Sequence, residues 1–277
     1  MAKPIETLER LCTLPGTDTP LRFDADLTSR APDGTRFRAL RGVPILRGDG
    51  GAVVERPTDY QSGGVPADLI AYMNSLPGYT LFLGAGNSNF RSPRVIEMEY
   101  DLFRDTDVIA DAHCLPFGTD SFDFFFAPNV FEHLRRPFDA AREALRVLKP
   151  GGRIHIHTAF LQPLHEAPAH FFNATEFGVR EWFAGFDDVE VGVSGNFNPI
   201  YTVSWIASEL LGAAAHHLGP DVARKIGSLT LEEMAGFWRK PQGWNPAALD
   251  LFFKLPEVVQ RSIAAGFELR ARKPGRS

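Results

Sequence analysis

The chain has 277 residues, 44% of them hydrophobic and 23% charged, with a net charge of −5 and a pI near 5.9. That is enough length and apolar content for a full core, and the acidic balance argues against a nucleic-acid-coating surface while allowing a local basic patch. Two cysteines, Cys12 and Cys114, are too few for a disulfide framework or a four-cysteine zinc site. No run approaches the roughly 20 apolar residues of a membrane span, and the opening Met-Ala-Lys-Pro-Ile-Glu-Thr lacks a signal-peptide core, so the expected location is cytoplasmic.

Residues 1–60 are rich in Pro, Gly and Arg. Short alternating pieces, 35–40 and 43–46, are punctuated by turn residues at 32–34 and 48–51, which predicts a small β-rich appendage. Residues 65–76 have helical apolar spacing and stop at Pro77-Gly78. From Tyr79 the pattern becomes α/β, with strands expected at 80–83, 94–98, 107–110, 122–126 and 153–158. A helix is expected over 137–148, with Phe138, Ala141, Leu145 and Leu148 on its inner face and Pro150-Gly151-Gly152 ending it. Strands alternating with helices imply a mostly parallel sheet covered on both sides. A helix near 176–183, a strand at 189–193, a helical stretch over 200–264 and a closing antiparallel strand at 267–272 complete the reading.

Within this pattern Thr80-Leu81-Phe82-Leu83 runs into Gly84-Ala85-Gly86, with polar residues following where a helix could begin. Glycine lets a ligand approach the backbone and tolerates positive φ. Alone the signal is weak, but segments at 81–86, 95–99, 110–117, 120–123, 129–134 and 146–152 continue it in order. Among them are Asp120-Ser121-Phe122-Asp123, Asn129-Val130-Phe131-Glu132-His133-Leu134 and Leu148-Lys149-Pro150-Gly151-Gly152.

In these segments the chain resembles the class I S-adenosylmethionine-dependent methyltransferases. The resemblance implies a Rossmann-like seven-stranded α/β sheet at 61–199, a helical cap insertion at 200–264 and a closing strand within 265–277. It implies S-adenosylmethionine as cofactor, with Gly84, Ala85 and Gly86 under its methionine part. Glu99 would accept from the ribose hydroxyls, with Glu97 the alternative on the same side of the strand. Asp111 and Ala112 would meet the adenine edge, and Asn129 joins the set from the end of the fourth strand. The expected reaction is methyl transfer to a small molecule, sugar-linked or a secondary metabolite, with no metal, nucleic acid or membrane involved and a homodimer left open. The alternative is a non-methylating protein on the same fold.

Three departures stand out. Phe82 occupies the place of the family's usual acid, Ser88 that of a third glycine, and 99–107 is too short for a normal crossover helix. The appendage is similar to a small zinc-ribbon-like module without its cysteines, hence metal-free. On the substrate side His165, with His133 and His170, are the expected proton acceptors, because histidine titrates near neutral pH. His165 and His170 sit in a polar loop leaving the fifth strand, and the aromatics Trp205, Phe237, Trp238, Trp244, Phe252 and Phe253 fit either a cap over an apolar substrate or a plain helical core.

Overall fold

Five apolar runs become five parallel strands: β6 (Tyr79–Leu83), β7 (Val95–Glu99), β8 (Val108–Ile109), β9 (Phe122–Pro128) and β10 (Leu148–His157). Their order is β10-β9-β6-β7-β8. β6 and β7 are buried almost end to end, as strands covered on both faces must be. This is a computed structural model, and it describes residues 3–48, 50–59, 64–88, 90–239 and 253–263. The chain divides into two compact units, Met1–Phe160 with Phe171–Val191, and Leu161–His170 with Gly192–Ser277.

In the first unit α2 (Ala67–Ser75) covers one face of the sheet, packing Met73 with Phe82, Phe124 and Phe126. The opposite face meets α1 (Ile5–Leu11) and α3 (Pro137–Val147) through Leu8, Leu11, Leu81, Ile96, Phe122 and Phe125. Each such buried side chain contributes on the order of 1.5–3 kcal/mol. Pro137 suits the first turn of α3. Of the expected inner face, Ala141 and Leu148 are buried, while Phe138 and Leu145 are exposed and Ala140, Ala144 and Val147 face inward in their stead. Three alanines let the helix lie close to the sheet, where large side chains would not fit.

The crossovers are where expectation and structure part. No helix forms among the described residues of 84–94, where the polar residues after the glycines left room for one to begin. A helical crossover between parallel strands needs a dozen or more residues, and this stretch is shorter and carries two glycines and Pro93. The second crossover, 100–107, also lacks a helix, as its length implied. A buried charge cluster occupies this side instead. Arg91 pairs with Asp107 at 2.8 Å and Glu97 at 3.2 Å, and Lys3 reaches Asp107 at 3.7 Å and the Ser92 carbonyl at 2.6 Å.

The N-terminal residues form a three-stranded antiparallel sheet, β1 (Arg22–Phe23), β2 (Ser29–Arg30) and β3 (Arg36–Phe37), followed by a hairpin of β4 (Ala39–Leu40) and β5 (Val43–Pro44). Asp26 and Asp33 accept from the Thr28 and Thr35 amides, which builds the two tight turns between the first three strands. Leu21, Phe23, Leu27 and Ala31 join the same core as β6 and β9.

The expected sixth strand is extended chain: 189–193 pairs with no strand among the described residues, and Val193 is exposed. The expected closing strand at 267–272 lies outside the described residues, as do Trp244 and Phe252. The second unit is helical, with α5 (Pro199–Leu218), α6 (Pro220–Gly227), α7 (Leu231–Arg239) and α8 (Glu257–Ser262). Asn198 caps α5 by accepting from the Ile200 amide. Leu210, Ala214, Ile226 and Leu255 form its core.

Candidate cofactor-binding site

Three neighbouring strand ends assemble the site. β6 delivers Gly84-Ala85-Gly86, β7 delivers Glu99, and Asp111-Ala112 follows β8. In open α/β sheets the carboxyl ends of strands are where ligands bind. Gly84 has φ +70°, and a Cβ there would stand 2.3 Å from Val130 Cγ2. The residue is therefore glycine both for its conformation and for the close passage of the segment after β9. Gly86, also left-handed at φ +58°, donates its amide to the Glu99 carboxylate. Ala85 packs into the core beside Phe82 and Met73.

The two departures at the loop have structural answers. Phe82 is fully buried with its ring 4.9 Å from Phe126, so packing replaces the absent acid and Glu99 holds the loop from the neighbouring strand. The Ser88 hydroxyl donates to the Phe90 carbonyl at 3.0 Å. Asn87 accepts from the Arg104 amide at 2.9 Å and donates to the Pro57 carbonyl at 3.0 Å.

Glu99 and Glu97 differ in their partners. Glu97 is spent on Arg91 within the charge cluster, whereas Glu99 faces the glycine loop. Burial raises both carboxyls to about 8; Arg91 opposes the shift at Glu97, and the Gly86 amide opposes it at Glu99. Asp111 closes a turn, accepting from the His113 amide at 2.9 Å with His113 Nδ1 at 2.5 Å. Burial pushes its pKa up, but the His113 hydrogen bonds prevail and the net shift is downward. Ala112 is buried in the main core, and Asn129 is exposed at φ +53° with its amide on the His157 carbonyl at 2.9 Å. Left-handed glycines, a buried acid and a part-exposed Asp111 suit a ligand that offers hydroxyls and an amine.

The histidines fall in both units. His133 ends a 3₁₀ turn, Phe131–His133, in the first unit, its amide on the Val130 carbonyl at 2.9 Å. In the second unit the His170 Nδ1 accepts from the His165 amide at 3.2 Å, their rings lie 4.2 Å apart, and the Trp205 ring is 5.5 Å from His165. His165 Nδ1 lies 2.9 Å from the Pro163 carbonyl, which sets that nitrogen as the protonated one. Glu132 was passed over in the sequence. It is fully buried, its Oε2 accepts from the Thr158 hydroxyl at 3.0 Å, and its Oε1 meets no hydrogen-bond donor among the described residues. Burial raises this carboxyl to about 7. The available signal was an acid inside the otherwise apolar Val130-Phe131-Glu132.

A family model described as a methyltransferase domain matches residues 91–156. That segment is part of a methyltransferase domain. An uncharacterized methyltransferase of Mycobacterium tuberculosis is 37% identical over 79 residues, 28% of this chain and 28% of its own length. An uncharacterized protein of Methanocaldococcus jannaschii is 32% identical over 115 residues, 36% of this chain and 56% of its own. A phosphoethanolamine N-methyltransferase of Haemonchus contortus matches 67% of this chain and 49% of its own at 15% identity, with a TM-score of 0.35. The alignment thus spans little more than a quarter of the first curated relatives. The matched domain holds β7 to β10, Glu99, Asp111 and Asn129, and the glycine loop precedes it directly.

Proposed function

We propose that this chain transfers a methyl group from S-adenosylmethionine to a small molecule. The observation that carries the reading is the Gly86 amide on the Glu99 carboxylate, which sets a left-handed glycine loop beside an acid of the segment that matches a methyltransferase domain. Gly84 and Gly86 would hold the methionine part, Glu99 the ribose, and Asp111, Ala112 and Asn129 the adenine side. When bound, the cofactor supplies an electrophilic sulfonium methyl.

The chain's own residues then orient the acceptor and take its proton. His133, His165 and His170 are the residues proposed for that proton, His165 first, since an oxygen or nitrogen nucleophile needs a base near neutral pH. Sugar-linked and secondary metabolites are the acceptors proposed, and the protein is proposed to work in the cytoplasm. Incubating the protein with methyl-labelled S-adenosylmethionine and a small-molecule extract tests the reading: label should enter a low-molecular-weight product, and His165→Gln should lower the rate by roughly 10²-fold or more.

One observation favours a second reading. The absence of a helix among the described residues of 84–94 removes a helix N-terminus from the carboxylate end of the cofactor. A non-methylating protein on the same fold, a binding or scaffold subunit or an enzyme of different chemistry, fits that loss. Folded protein that yields no labelled product with any fraction of the extract would select it.

A further inference from the structure

The Asp111 carboxylate is held through one of its two oxygens. Oδ1 accepts from the His113 amide at 2.9 Å and stands 2.5 Å from His113 Nδ1, while Oδ2 meets no hydrogen-bond donor among the described residues. The Asp111 side chain is 35% exposed, against 12% for His113. The other imidazole nitrogen, Nε2, lies 3.2 Å from the amide of Arg136, the residue that opens α3. A backbone N–H can only donate, so Nε2 holds the lone pair and Nδ1 carries the proton that Asp111 accepts.

The imidazole is not the main mooring of this loop. Glu143 accepts from the Leu115 amide at 2.7 Å, and Arg146 donates to the Phe117 and Leu115 carbonyls at 2.7 and 3.1 Å. What His113 adds is a second donor on the same carboxylate oxygen. One hydrogen bond leaves a carboxylate free to turn about it, because the terminal torsion of aspartate is broad. Two donors fix its plane.

We infer that His113 is a positioning residue for the base of the cofactor: it turns Asp111 so that Oδ2 stands as a bare acceptor, which takes an amino-purine and refuses a keto purine. This role rests on the S-adenosylmethionine reading of the site. An exocyclic amine donates to Oδ2, whereas a carbonyl in its place sets oxygen against carboxylate and leaves both unpaired. A site built around such a bond rejects the analogue that lacks it.

Calorimetric titration of the full chain with S-adenosylhomocysteine and with S-inosylhomocysteine, in which a carbonyl replaces the amine, tests the role. The unaltered protein should prefer the amino form by roughly 10- to 100-fold, the scale of a hydrogen bond to a charged group. His113→Phe and His113→Asn both lose the tie to the Arg136 amide. Only the Asn variant can still donate to Asp111, because its Nδ2 stands as many bonds from the backbone as the imidazole Nδ1. The preference should fall at least about 5-fold in the Phe variant and stay within about 2-fold of the unaltered value in the Asn variant. Asp111→Asn leaves His113 in place and does not depend on how the Phe variant folds. There the two His113 donors draw the carboxamide oxygen, its NH₂ faces the ligand, and the preference should invert. Unchanged preference in His113→Phe, equal losses in both His113 variants, or an Asp111→Asn protein that still favours the amino form would each overturn the role. Equal binding of the two ligands by the unaltered protein would overturn it and leave the cofactor reading intact, whereas no binding of either by folded protein would sink both.

Discussion

The amide of Gly86 donates to the Glu99 carboxylate, and this one bond ties the loop after β6 to the end of β7. The loop therefore keeps its shape without the acid that Phe82 replaces. Glu99→Gln preserves an acceptor and should keep the fold, while Glu99→Ala should weaken S-adenosylmethionine binding by about 1.5–3 kcal/mol above about pH 8, where the carboxyl is ionised, the scale of a hydrogen bond to a charged group. Isothermal titration of both variants checks it.

Gly84→Ala combines a left-handed backbone with a Cβ 2.3 Å from Val130 Cγ2. The conformation alone costs about 1–2 kcal/mol. Chemical denaturation should show at least that loss, and Val130→Ala in the same chain should recover only the steric part. Full recovery would mean that the backbone conformation carries no cost.

Arg91 faces Asp107 and Glu97 in a buried setting. Arg91→Ala leaves Asp107 with Lys3 at 3.7 Å and should cost about 3–5 kcal/mol, the penalty for breaking a buried pair from one side. Replacing Asp105, whose carboxylate pairs at the surface with Arg104, should cost less than about 1 kcal/mol. Denaturant midpoints of the two variants give the comparison.

Glu97 and Glu99 have folded pKa values of about 8 and Glu132 about 7, against 4.5 for a free glutamate, chiefly through burial. Between those limits the folded state holds more protons than the unfolded one. The stability they contribute is complete below the free value and is lost as pH rises through 7 to 8. Asp111, shifted down, acts oppositely and loses its contribution as pH falls below the free aspartate range. The melting temperature should therefore peak near about pH 5 and fall toward about pH 9. Glu132→Gln should flatten that alkaline fall.

Much of the core was legible because parallel strands buried on both faces read as apolar runs, as at 79–83 and 122–126. The glycines and Glu99 were legible for the same reason: each sits where such a run stops. The inward face of α3 was half misjudged: Ala141 and Leu148 are buried as expected, but alanine carries little hydrophobic signal, so Phe138 and Leu145 were read inward in place of Pro137 and Ala144 beside them. The missing first crossover helix was a matter of length, readable at 84–94 but masked by the polar residues after Gly86. The cluster of Lys3, Arg91, Glu97 and Asp107 was beyond reach, since its members meet only through tertiary contacts.

Calorimetric titration of the full chain with S-adenosylmethionine and with its demethylated product tests the central claim most directly. The account predicts saturable heat for both at one site per chain, lost or weakened in Glu99→Ala. No heat for either ligand, from protein that is folded by circular dichroism, would contradict it.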